Sequence, residues 1–465
     1  VMVCINPAYR LYELEYALNK VSCSVLICDV QFKTSDYLGM ITTLAPELAL
    51  SGHDHLQAAK LPHLRHVVRM GSEHTPGLHN FDDVCHKGGA VELELLQALQ
   101  NQLKPDDAIN IQFTSGTTGN PKGATLSHCN ILNNGFLTGL AMQLTPSDKL
   151  CVPVPLYHCF GMVMSVLACV SHGATMVFPG PSFDPEDTLR TVEDESCTAL
   201  HGVPTMFITE LDHPKFRDFN LSSLRTGIMA GAPCPVEVMK RVISEMHMES
   251  VLIAYGQTEL SPINHITRTD DSLKRRTETV GRAMPWVEIK IVDQDGHVVP
   301  VGEKGEICTR GYSVMQGYWD DPVKTAETID PSGWLHSGDL ATMDDCGYVK
   351  IVGRIKDMII RGGENIYPAE VEDLLLTHPD IAQVQVFGLP DARLGEEVAA
   401  WIILHPNAAL TVAALQDWCR EKIARFKVPR YIRFGGEMPV TATGKPQKFK
   451  MQEAMCAELG IALPT

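Results

Sequence analysis

No apolar run in this sequence reaches the ~18 residues that a bilayer-spanning helix needs. The best candidate, residues 150–179, is broken by Pro153, Pro155, His158 and His172. A basic stripe is missing too. The 39 Lys and Arg stand against 56 Asp and Glu, a net charge of −17, which makes nucleic acid a poor partner. None of the 14 cysteines forms a C-x-x-C pair. Scattered thiols in so long a chain suit small core hydrophobes in a reducing compartment, not a disulfide framework. Repeats and low-complexity tracts are absent as well. His53-Asp54-His55 lacks a third ligand nearby and reads as a surface loop. The opening VMVCIN is mid-strand in character, so the chain reads as a fragment, and the lack of a targeting segment decides little.

What is present divides into two textures. A length of 465 residues suggests two to four domains at roughly 100–200 residues each. From 1 to about 290, short apolar runs such as SVLICD, KLCVPVP, CTALHGVP and SVLIAYG alternate with amphipathic stretches such as 11–21 and 236–246. Alternation of that kind predicts an α/β fold with mainly parallel sheets. From about 285 to 353 the pattern changes to short strands and turns, with hairpin signals at Asp295-Gly296 and Cys346-Gly347. This predicts a β-rich subdomain. A small α+β unit follows Asp357, with Pro368 at the start of one helix and Thr411 capping another. The expected division is a large domain over 1–355 and a small mobile domain over 356–465.

Residues 113–123, FTSGTTGNPKG, hold three glycines, four hydroxyl side chains and a lysine. Glycines permit positive φ and close backbone approach, hydroxyls donate and lysine supplies charge, so the composition suits phosphate. The stretch fails the Walker pattern, because Pro121 replaces the second glycine and Gly123 the Mg²⁺-binding hydroxyl. Ile109 to Phe113 alternate as a strand, and Ser127 can cap a helix. The expected geometry is strand, phosphate loop, helix.

The loop TSGTTGNPKG resembles the signature of the adenylate-forming superfamily, which includes acyl-CoA synthetases, luciferases and peptide-synthetase adenylation domains. PLYHCFG (155–161), AGAPC (230–234), YGQTE (255–259), GWLHSGD (333–339), GRIKDMIIRGGENIYPAEVE (353–372) and TGKPQKFK (443–450) follow in the superfamily's order. Even NPAY (6–9) matches an early motif. The wording is most similar to medium-chain fatty acyl-CoA synthetases. On that resemblance the large domain lacks about its first 100 residues, an estimate from ordinary domain size.

The resemblance implies roles. Thr114, Ser115, Gly116, Thr117, Thr118, Gly119 and Lys122 would hold the β- and γ-phosphates of ATP. Tyr255 would stack on adenine after a strand's carboxyl end, beside Gly256, while Gly231, Ala232 and Pro233 line the other face. Thr258 would bond the α-phosphate and Glu259 would ligate Mg²⁺, whose hard charge prefers oxygen. A solvated turn carboxylate is the plain alternative for Glu259. Asp339 would accept both ribose hydroxyls, with Arg354 as second contact. His158 would gate the acyl pocket, though a lone histidine on an apolar segment is otherwise a core residue. Residues 160–166 and 203–207 would wall the acyl chain, with core packing as the competing account.

Lys445 matches the catalytic lysine bridging substrate carboxylate and α-phosphate. Lys356-Asp357 matches the hinge about which the small domain turns, and Gly362, Gly363 and Glu364 would then line the path of coenzyme A. The implied enzyme is an AMP-forming fatty acid–CoA ligase using ATP, Mg²⁺ and CoA, with small molecules as partners and self-association left open. The compartment would be cytoplasmic in a bacterium or the mitochondrial matrix in a eukaryote. Rival readings are an adenylation domain or aryl-CoA ligase of the same superfamily, a P-loop ATPase or switch, and an inactive binding remnant.

Overall fold

A computed structural model describes residues 1–50, 56–114, 121–232, 234–441 and 446–462. The His53-Asp54-His55 triplet therefore lies outside the described residues. The chain divides into two compact units. One comprises Val1–Leu132, Tyr157–Cys159 and Met315–Glu327; the other comprises Asn133–Leu156, Phe160–Val314 and Thr328–Thr465.

In the first unit, helix Leu11–Lys20 buries Leu14, Ala17 and Leu18 on one face, as its 3.6-residue period predicts. Leu14 and Leu18 pack with Ile41, Leu44 and Leu64. Strands Val25–Cys28, His66–Arg69 and His79–Asn80 form a small parallel sheet. A second sheet runs in the order Met2–Cys4, Ala108–Thr114, Lys122–Ser127, Gly317–Tyr318.

That sheet corrects one expectation. The polar loop joins two antiparallel strands, with Thr114 opposite Lys122, so its frame is a hairpin and not strand–loop–helix. Lys122–Ser127 is held on both edges, since Gln316 N donates to Thr125 O (2.9 Å) and Trp319 N to Gly123 O (2.7 Å). Those partners lie about 200 residues downstream, beyond the reach of local pattern. The cap itself is as expected: Asn130 N donates to Ser127 Oγ (3.1 Å) and Ser127 N to Asn130 Oδ1 (2.7 Å), ahead of helix His128–Ala141.

The second unit is built on a seven-stranded sheet in the order Thr175–Val177, Lys149–Cys151, Ala199–Gly202, Thr226–Ala230, Ser250–Gly256, Ile263–Ile266, Arg282–Ala283. The first five strands are parallel and the last two antiparallel. Ile228, Leu252 and Ala254 enter one core, while Met229, Val251 and Ile253 enter another on the opposite face. Cover on both faces explains why these strands read as continuous apolar runs.

Val287–Val292, Gly305–Gly311, Leu335–Met343 and Val349–Arg354 form the expected antiparallel sheet. Within the same stretch, Gly317–Tyr318 departs to pair with Lys122–Ser127. The last sheet holds Ile359–Arg361, Glu364–Ile366, Ile381–Asp391, Gly395–Leu404 and Tyr431–Phe434. Helix Pro368–Leu375 begins on its proline, and Thr411 Oγ1 accepts from Ala414 N at 3.2 Å. None of the 14 cysteines is in a disulfide; seven are buried, five half-buried and two, Cys85 and Cys346, exposed, so the expected core role holds for half of them. Among the described residues no helix is long and apolar enough to cross a membrane.

Candidate active site

The strand Ser250–Gly256 carries Tyr255 next to its carboxyl end, and its register with Thr226–Ala230 sets Gly231 at the carboxyl end of the neighbouring parallel strand. That edge is where open α/β sheets take their ligands. Gly231 has φ +90°, a left-handed conformation natural to glycine. Gly256 is glycine for another reason: a Cβ there would lie 2.0 Å from the Pro262 carbonyl oxygen.

Asp339 is the centre of the site. Its carboxylate is buried, 2% exposed. Oδ2 accepts from the Tyr255 phenol at 2.7 Å and from Gln257 Nε2 at 3.0 Å. Oδ1 lies 2.8 Å from Arg354 Nε yet has no aligned hydrogen bond among the described residues. Arg354 sits opposite Asp339 in the ladder between Leu335–Met343 and Val349–Arg354, which brings the two charges together. Burial pushes the Tyr255 phenol well above its ordinary range, and the Asp339 charge adds to that. Tyr255 is therefore a neutral donor. A buried carboxylate oxygen with spare accepting capacity suits a ligand hydroxyl.

Thr258 and Glu259 follow at once in the 3-10 turn Thr258–Leu260, both half-buried. A hydroxyl beside a carboxylate is a hard-oxygen donor set, and this fits Mg²⁺. Tyr255, Asp339 and Arg354 thus meet as expected, with Thr258 and Glu259 on the adjoining turn and Gly231 and Ala232 at the adjoining strand end.

His158, half-buried, belongs to the first unit. So do Thr114 and Lys122, where Lys122 Nζ donates to Tyr318 Oη at 2.8 Å and sits 4.1 Å from that ring's centre. Gly362 (φ +59°) and Gly363 (φ +89°) form the exposed turn that joins Ile359–Arg361 to Glu364–Ile366. Their left-handed backbone accounts for both glycines. Of the residues expected to wall an acyl chain, Phe160, Met164 and Met206 are buried in one cluster with Ala230 and Ala254, and Val203 packs half-buried against it. Core packing accounts for the first three. Ser115, Gly116, Thr117, Thr118, Gly119, Pro233 and Lys445 lie outside the described residues.

Sequence reasoning passed over Gln257, which donates both to Ser337 O (2.8 Å) and to Asp339. Its signal was its place inside YGQTE. Ser337 was likewise missed: its Oγ accepts from Asp339 N at 3.0 Å and donates to Ile307 O at 2.6 Å.

The model of the AMP-binding enzyme family matches residues 1–319, and that of the AMP-binding enzyme C-terminal domain matches 370–445. The chain is 45% identical over 464 residues to the medium-chain acyl-CoA ligase ACSF2, mitochondrial, of Danio rerio, covering 99% of this chain and 76% of that protein. Identity to the protein of the same name from Homo sapiens is 42% over 467 residues, again 99% and 76%. Among solved structures, the anthranilate CoA ligase AuaEII in complex with anthranoyl-AMP superposes with a TM-score of 0.85 at 29% identity, covering 100% of this chain and 84% of that one.

Proposed function

We propose, for a chain that belongs to the AMP-binding enzyme family and is an AMP-forming acid–thiol ligase, that the acid is a medium-chain fatty acid and the thiol that of CoA. The names of the ACSF2 relatives support that choice of acid. The observation that carries the site reading is Asp339, buried at the ligand edge of the sheet with one carboxylate oxygen unsaturated by hydrogen bonds.

In the first half-reaction the acid's carboxylate oxygen attacks the α-phosphorus of ATP. The bond to the β-phosphate breaks and pyrophosphate leaves. In the second, the CoA sulfur attacks the acyl carbonyl, AMP leaves with the bonding pair, and the thiol proton passes to solvent. The acid is already ionised near pH 7, so the first step needs no general base. It needs positive charge, because two anions must approach. Lys445 supplies that charge. Asp339 and Arg354 hold the ribose, Tyr255 stacks on adenine opposite Gly231 and Ala232, and Thr258 bonds the α-phosphate. Glu259 would hold Mg²⁺, which neutralises phosphate charge when bound. The hydroxyls and glycines of 114–119, with Lys122, retain the departing pyrophosphate. His158 gates the acyl pocket.

Residues 1–355 form the large domain and 356–465 the small one, which turns about Lys356-Asp357 so that Gly362, Gly363 and Glu364 line the CoA path. The compartment is the cytoplasm in a bacterium or the mitochondrial matrix in a eukaryote. The test is product release screened across straight-chain acids, with and without CoA. AMP and pyrophosphate should appear, with the highest rates at medium chain length; ADP and free phosphate would overturn the reading.

A further inference from the structure

Asp339 sits on a bulge in the strand Leu335–Met343, where Ser337-Gly338-Asp339 turn out of the ladder opposite Ile307; this local turn is tied from below by a carboxylate with no part in the chemistry above. Glu306 Oε1 accepts the backbone N–H of Gly338 at 2.8 Å, and Oε2 lies 2.8 Å from His336 Nδ1. A carboxylate facing Nδ1 only accepts, so that nitrogen carries the proton. Gly338 has φ +71°, one of several conformations open to glycine at little cost, so its ties select the geometry. Ser337 Oγ supplies a second tie through Ile307 O and Asp339 N. The Cys308 thiol lies 3.4 Å from His336 Nδ1 and is pushed up to about 12 by burial and by Glu306, so it stays neutral beside the pair. On the far side of the ring, Asp330 Oδ2 stands 3.9 Å from His336 Nε2. Among the described residues Glu306 makes no hydrogen bond to Tyr255, Gln257 or Arg354, so any effect on the site runs through the turn.

We infer that Glu306, held by His336, is a positioning residue that fixes the Ser337-Gly338-Asp339 turn and thereby aims the Asp339 carboxylate at the nucleotide's ribose hydroxyls. This rests on the reading of Asp339 as the ribose acceptor. Without the Gly338 tie the turn samples other backbone geometries, and Asp339 is then shared by Tyr255, Gln257 and Arg354 with no fixed direction for a ligand. The consequence is specific. Discrimination between ATP and an analogue lacking ribose hydroxyls falls, while turnover at saturating ATP falls less.

The experiment compares kcat/KM for ATP and for 2′,3′-dideoxy-ATP in the pyrophosphate-forming half-reaction. Wild type should prefer ATP by about tenfold or more, the value of one or two charge-assisted hydrogen bonds. Glu306→Ala should cut that preference by at least about fivefold, mainly through KM. Glu306→Gln keeps an oxygen for Gly338 N–H and should retain most of it; a loss as large as that of alanine overturns the hydrogen-bond account. Asp339→Ala separates the two layers. If it leaves the preference intact, the ribose reading itself fails. If it abolishes the preference while Glu306→Ala preserves it, the positioning inference alone fails. Should Glu306→Ala not fold, Ser337→Ala cuts the turn's other tie and must lower the preference in the same way; an unchanged ratio overturns the inference.

Discussion

Tyr255 and Asp339, 84 positions apart, meet in a 2.7 Å hydrogen bond in which the phenol donates. The bond joins the seven-stranded sheet to the four-stranded one at the edge where the nucleotide is proposed to bind. Because the phenol is held well above its ordinary range by burial and by Asp339, it remains a donor at any working pH.

Tyr255→Phe tests that bond without removing the ring. Gln257 still donates to Asp339, so the loss is one neutral donor to a carboxylate, about 1–2 kcal/mol. KM for ATP should rise about five- to thirtyfold. The ratio of variant to wild type should stay constant from pH 6 to 9, since the phenol does not ionise there. A ratio that changes with pH would contradict the neutral donor.

Two buried histidines predict the acid limit of stability. His265 is fully buried, both its ring nitrogens lack hydrogen-bond partners among the described residues, and burial lowers it to about 3. His201 is held between Ser165 Oγ (2.9 Å) and Met142 Sδ (3.2 Å), and burial lowers it likewise to about 3. Each is neutral when folded but binds a proton near pH 6.5 when unfolded. The unfolded state thus holds more protons, and stability falls as pH drops from about 6.5 toward 3. Between pH 7 and 5.5 the two together should cost about 2–3 kcal/mol. Denaturant melts across that range should show the slope. His265→Leu should remove about half of it.

Gly256→Ala is expected to destabilise, because the added Cβ would meet the Pro262 carbonyl oxygen at 2.0 Å and backbone must move. Overpacking of this kind costs about 1–3 kcal/mol, a fall in Tm of roughly 1 °C per kcal/mol for a chain of 465 residues. Since Tyr255 precedes it and Gln257 follows, KM for ATP should rise as well. An unchanged melting temperature would mean that the loop after the strand yields freely.

Much of this was legible because the signals were local. SVLIAYG became the strand Ser250–Gly256, Thr411 and Pro368 stand where their helices begin, and Tyr255, Asp339 and Arg354 fell within short motifs. What escaped was long-range. The outer edge of the hairpin around the polar loop is held by partners at 316–319, and Glu306 lies about 30 positions before the turn it holds. Nothing in the composition of GEKGEICTRG distinguishes Glu306 from Glu303, which is a surface residue. Only the register between Gly305–Gly311 and Leu335–Met343 sets one of the two carboxylates beneath Gly338.

Lys445 gives the sharpest division of the two half-reactions. Its proposed task is to offset charge as the acid's carboxylate approaches the α-phosphate, a demand that ends once acyl-adenylate exists. Lys445→Ala should therefore slow acid-dependent exchange of pyrophosphate into ATP by about 10²–10³, the usual loss for one preorganised donor. Thiolysis of supplied acyl-adenylate by CoA should change by less than about threefold, because the thiol attack generates charge at the acyl carbonyl and the leaving AMP and needs no approach of two anions. Single-turnover measurements of each half-reaction separate the two. Equal losses in both would take the lysine out of adenylation and make it a general anchor for the nucleotide.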